Sequence, residues 1–133
     1  MTITRRLLSL FTKPNGPTLP EGWSIEYPCS EDEAHVCIDH DDGMEDDMPM
    51  IFYKASDTYE LPQGVIAALA WRVEDRLWSE GEVNLEVSYD EDLQREQYRI
   101  RTAWDKPRQW IPWSNTRLEA LVAAAERALE NNE

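Results

Sequence analysis

"VNLEVSYDEDLQREQYRIRTAW", residues 83–104, alternates apolar and polar side chains twice, with a charged turn between the two runs. Val83, Leu85, Val87 and Tyr89 stand against Asn84, Glu86 and Ser88; then Tyr98, Ile100, Thr102 and Trp104 stand against Gln97, Arg99 and Arg101. Successive strand residues point to opposite faces, so each run reads as a strand with one apolar side. "DEDLQRE" between them turns the chain back, and the two runs pair as a hairpin.

Helical spacing flanks the hairpin. Upstream, residues 62–79 place Ile66, Leu69, Val73 and Leu77 on one stripe, with Arg72, Glu74, Asp75 and Arg76 on a wetter side. Pro62 suits the first turn and Gly81 the C-terminal cap. Downstream, Thr116 and Glu119 form a capping box that opens a helix carrying Leu118, Leu121, Val122, Ala125 and Leu129.

Further toward the N-terminus, Trp23, Ile25 and Tyr27 alternate with Ser24 and Glu26 and predict a first strand. Ala34 to Asp39 predicts a second, and Met48 to Ala55 a third; Ile51, Phe52 and Tyr53 make the third apolar on both faces, hence central or covered. Thr2 to Phe11 reads as a short amphipathic helix on Ile3, Leu7, Leu10 and Phe11, and "KPNGPTLPEG" breaks it.

The expectation is an α+β fold, order α-β-β-β-α-β-β-α, with a mainly antiparallel sheet of about five strands, two main packing helices and a short N-terminal helix. Residues 1–13 form that helix, 14–22 a Pro/Gly linker and 23–133 a single α+β domain. The rhythm of strand, acidic turn, strand and helix at 23–78 and again at 83–130 admits a ββα duplication. At 133 residues one core is large enough to need no metal or disulfide staple.

Charge is distributed unevenly. Twenty-seven acidic against thirteen basic residues give −14, of which residues 14–53 carry −11, and no Lys or Arg lies between Lys13 and Lys54. Such a field repels nucleic acid and anionic membrane and steers a basic protein into encounter. "RRLLSLF" is too short an apolar run for a secretory signal and no stretch reaches a membrane span, so a cytoplasmic protein is expected. Two cysteines, Cys29 and Cys37, are too few for a disulfide framework, and a turn near Asp32 does not set them opposite each other.

Three chemistries are testable in the acidic stretch "CIDHDDGMEDDMPM", residues 37–50. A calcium loop counted from Asp39 has Asp41 at position 3 but Gly43 at position 5 and Met50 where a bidentate Glu belongs, so that register fails. A looser site from Asp41, Asp42, Asp46 and Asp47 stays open. His35, Cys37 and Asp39 share a strand face, but no paired CxxC or HExxH completes a zinc set, so partial cover on the second sheet face is the better account. Paired carboxylates require a raised pKa in a pocket before proximity means catalysis. No Gly-rich phosphate loop, GxSxG elbow or kinase pattern occurs. The expectation is a non-enzymatic protein without cofactor or bound metal.

What remains is binding. Glu31, Asp32, Glu33, Asp39, Asp41, Asp42, Glu45, Asp46 and Asp47 are the expected contacts for a basic protein, itself a nucleic-acid binder, with no direct nucleic acid or membrane partner. Trp110 and Trp113 in "KPRQWIPWSN", beside Lys106 and Arg108, join them as hot-spot candidates, or else cover one end of the core. An immunity protein, antitoxin or phage anti-defence protein that imitates nucleic acid with carboxylates fits this description. Trp71 and Trp78, seven residues apart, lie in the core or form a stripe for a homodimer through the middle helix. Element order, length and acidity resemble, in topology over Trp23 to Leu129, the small acidic type III secretion chaperones; the resemblance implies a dimer holding an extended effector segment.

Overall fold

A computed structural model describes residues 2–27, 34–38, 51–56, 60–106 and 108–131. Eight elements follow in the expected order: α1 (Ile3–Leu10), β1 (Trp23–Glu26), β2 (Ala34–Ile38), β3 (Ile51–Ala55), α2 (Gln63–Trp78), β4 (Val83–Asp90), β5 (Arg95–Thr102) and α3 (Arg117–Asn131). The fold is α+β, but its five strands belong to two antiparallel sheets rather than one: β1-β2-β3 and the hairpin β4-β5. The expected antiparallel sheet of about five strands is thus present as three strands plus two. Alternation along a strand records which face is buried; it carries no information on whether two hairpins share hydrogen bonds.

In the three-stranded sheet β2 is central, and among the described residues β3 pairs with β2 alone, at the edge of the sheet. The cross-strand partners Trp23 and Ile38, Ile25 and Val36, Val36 and Tyr53, and Ala34 and Ala55 share the face that meets the core. Ser24, His35, Cys37 and Lys54 occupy the other face.

The core is assembled from all three helices. Leu69, Val73 and Leu77 of α2 and Val122, Ala125 and Leu129 of α3 are buried together with Leu7, Leu8 and Leu10 of α1. The N-terminal helix is therefore packed into the same core, and Arg6 fastens it to Glu126 of α3. The stretch after it wraps back along α2: Pro17 is buried, Leu19 packs on the core, and Arg76 donates to the Asn15 carbonyl at 3.1 Å.

Local chemistry accounts for the joints. Pro62 is the N-cap of α2, whose C-cap is Ser79, two residues before Gly81. Gly81 answers a closer constraint, since a Cβ there would meet that of Ala103 at 2.5 Å. In the hairpin turn Asp90 accepts from the backbone N–H groups of Asp92 and Leu93, an arrangement that lets a short polar side chain replace strand pairing. At α3 the Thr116 hydroxyl accepts from the Glu119 N–H at 3.1 Å, while the Glu119 carboxylate reaches back to the N–H of Asn115.

Candidate functional site

Pairing places Val83, Leu85, Val87 and Tyr89 of β4 on one face with Thr102, Ile100, Tyr98 and Glu96 of β5. α3 packs under β5, and Ile100 is buried. β4 lies further out and receives no such cover: Leu85, Val87 and Tyr89 are exposed by 39%, 51% and 59%. Between the hairpin, α2 and α3 runs an open groove of about 700 Å³, lined by Ile66, Ala67, Ala70, Glu74 and Trp78 from α2, Val83 and Leu85 from β4, and Leu118 and Leu121 from α3. Trp78 and Trp71 are both largely exposed, with Arg72 5.5 Å from the Trp71 ring. The middle-helix indoles are thus an exposed stripe and not core.

The opposite face of the hairpin is polar and internally satisfied. Glu86 accepts from Arg99 Nε at 2.7 Å and from Arg101 Nε at 2.6 Å. Hydrogen bonding to Arg99 is the main reason the Glu86 carboxyl is held below its usual range; burial opposes it, and the hydrogen bond from Arg101 lowers it further. The same two arginines secure the loop beyond β5, since Arg99 donates to the Ile111 carbonyl and Arg101 to that of Gln109. Arg99 also lies 4.1 Å over the Trp113 ring, a cation–π distance, and Ser114 pairs with Tyr98.

The two loop tryptophans therefore diverge. Trp113 is half-buried under Arg99 and anchors the loop, whereas Trp110 is 75% exposed. Trp110 has the exposure a partner contact requires; Trp113 supports it. The indole packed partly against the core near α3 is instead Trp104, with Arg76 5.6 Å from its ring. Sequence reasoning did not single out Leu85, Val87 and Tyr89 as a site, because alternation alone makes them core.

The expected acidic contacts Glu31, Asp32, Glu33, Asp39, Asp41, Asp42, Glu45, Asp46 and Asp47 lie outside the described residues. So does Asp39 as a third metal ligand, and among the described residues no cluster of His, Cys, Asp and Glu is arranged to hold a metal ion. Cys37 is a buried free thiol; burial raises its pKa, reinforced by Glu26 and opposed by a hydrogen bond to Ser24. Among the described residues no helix is long and apolar enough to cross a membrane. Compared with known proteins, the chain matches no family model, no curated protein sequence and no solved structure.

Proposed function

We propose that the chain is a non-enzymatic protein-binding module that engages and neutralises a basic protein, one that itself binds nucleic acid. One observation carries this reading: five of the ten arginines, which would offset the acidic surplus, are committed internally. Arg6 pairs with Glu126, Arg76 with Glu80, Arg99 and Arg101 with Glu86, and Arg127 with Asp105. The net charge remains −14, and these ion pairs among the described residues engage four of the twenty-seven carboxylates; the resulting field attracts and orients a cationic surface. An immunity, antitoxin or anti-defence role, in which carboxylates stand where phosphates would, requires this balance and no cofactor. The reading places the protein in the cytoplasm, where such a partner meets nucleic acid.

A second reading is favoured by the groove. Exposed Trp71, Trp78, Leu85, Val87 and Tyr89 offer more apolar surface than a pure charge mimic needs, and a dimeric chaperone that holds an extended segment would use it.

Capture of partners at low salt and at about 0.5 M, where screening is several-fold shorter-ranged, tests the first reading. A nucleic-acid-binding protein retained at low salt and released at high salt is the expected result. Replacing Asp41, Asp42, Asp46 and Asp47 together by Asn should weaken that capture and leave the thermal melt unchanged. Unchanged capture by this variant would reduce these acids to a solubility role.

A further inference from the structure

β4 pairs with β5 on one side, and on the other its eight-residue edge has no strand partner among the described residues. Open edges of that length are templates for another strand, and proteins normally blunt them with Pro, Lys, a bulge or a covering loop. β4 carries no Pro or Lys, pairs with β5 without a bulge from Val83 to Asp90, and keeps Leu85, Val87 and Tyr89 exposed on its groove face.

Its charge selects the occupant. Between Arg76 and Arg95 there is no Lys or Arg, while Glu80, Glu82, Glu86, Asp90, Glu91 and Asp92 fall in that interval. Among the described residues Glu82, Glu91 and Asp92 form no ion pair; on the groove wall neither Glu74 nor the cation Arg117 forms one, so the acid surplus lies along β4 and its ends rather than in the groove. A second copy is poorly matched to this edge. Antiparallel self-pairing centred on Glu86 sets Glu82 against Asp90, and centring on Val87 sets Glu82 against Asp92; like charges directly opposite are destabilising.

We infer that the β4 edge binds an extended segment of the partner by strand addition, the segment alternating apolar residues, which continue the Leu85–Val87–Tyr89 face over the groove, with Lys or Arg on its other face. Main-chain hydrogen bonds along β4 supply register-independent affinity, the groove takes the apolar side chains, and the acids at both ends of the strand take the basic ones. This rests on the basic-partner reading above and specifies where on the fold that partner is held.

The test is fluorescence anisotropy with a labelled synthetic peptide alternating valine and lysine, and a valine/glutamate peptide as comparison. Two further lysine peptides carry backbone N-methyl groups, one on every valine and one on every lysine. A strand added to an edge uses the N–H groups of alternate residues only, so one methylated peptide should lose binding and the other keep it. Val87→Lys should weaken the parent peptide about tenfold or more, and Glu82→Lys several-fold, with unchanged circular dichroism. Equal binding by the two methylated peptides, or indifference to both Val87→Lys and Glu82→Lys, overturns strand addition at β4 while leaving the basic-partner reading in place. No preference for the lysine over the glutamate peptide overturns that reading as well. A wild-type dimer in sedimentation that Val87→Lys converts to monomer assigns the edge to a second copy and overturns the inference.

Discussion

Leu85 on β4 stands directly opposite Ile100 on β5, yet Ile100 is 7% exposed and Leu85 39%. The pair shares one apolar face, and α3 covers only one member of it. This asymmetry is the structural origin of the open groove. It separates substitutions that damage the fold from those that damage binding.

Ile100→Ala should cost about 2–4 kcal/mol of stability, because it removes buried methylenes and leaves a cavity. Val87→Thr, one pair further along the same face, should stay within about 0.5 kcal/mol, as exposed positions usually do. Urea denaturation of the two variants checks the contrast; equal losses would show that β4 is covered as well as β5.

Asp105 ties three parts of the chain together. Its carboxylate accepts from the Thr102 N–H at 2.8 Å and from Arg127 at 3.0 Å, and Arg127 also donates to the Ile100 carbonyl at 2.8 Å. The Asp105 side chain is 6% exposed, so Asp105→Ala strands a guanidinium beside the core and should cost about 3 kcal/mol or more. Arg6→Ala, which breaks a half-exposed pair with Glu126, should cost no more than about 1 kcal/mol. Denaturation midpoints of the two variants should rank in that order.

Glu86 sets a pH dependence. Its carboxyl is lowered in the folded protein, chiefly by Arg99, so the stability it contributes is fully present above the unfolded carboxylate value of about 4.3 and is lost as pH falls through the lower folded value. Glu86→Gln should flatten the fall in melting temperature between about pH 5 and pH 3. A variant whose melting temperature falls as steeply as that of the wild type would show that the Arg99–Glu86–Arg101 fork adds nothing to folding.

Cys37 should be chemically quiet. Burial and the neighbouring Glu26 disfavour its thiolate, and the thiolate is the reactive form. In a Cys29→Ser background, thiol labelling at neutral pH should be slow in the native protein and fast in denaturant. Rapid native labelling would contradict the packing of the second face of the three-stranded sheet.

Element order and most boundaries were legible because each helix and strand is half-buried and therefore periodic. The Val83–Tyr89 alternation marked β4 to within a residue, and the Thr116–Glu119 capping box marked the start of α3. Less was legible about assembly. Nothing in the spacing of Ile51, Phe52 and Tyr53 distinguishes an edge strand from a central one, and nothing in Val83–Tyr89 reveals that α3 underlies β5 and leaves β4 open. The tryptophans divided for the same reason. Trp113 is fixed by Arg99, fourteen places away in the chain but across a loop, and Trp110 by nothing comparable among the described residues. Exposure depends on which neighbour arrives, a tertiary fact that local periodicity does not encode.

The most direct measurement on the central claim is amide hydrogen exchange of β4 with and without the valine/lysine peptide. In the free protein about half of the N–H groups of Val83–Asp90 face outward and should exchange fast, while those bonded to β5 are protected. Saturating peptide should slow the fast set and leave the N–H groups of α3 unchanged. Peptide binding with no change in the fast β4 amides would contradict an edge-binding module.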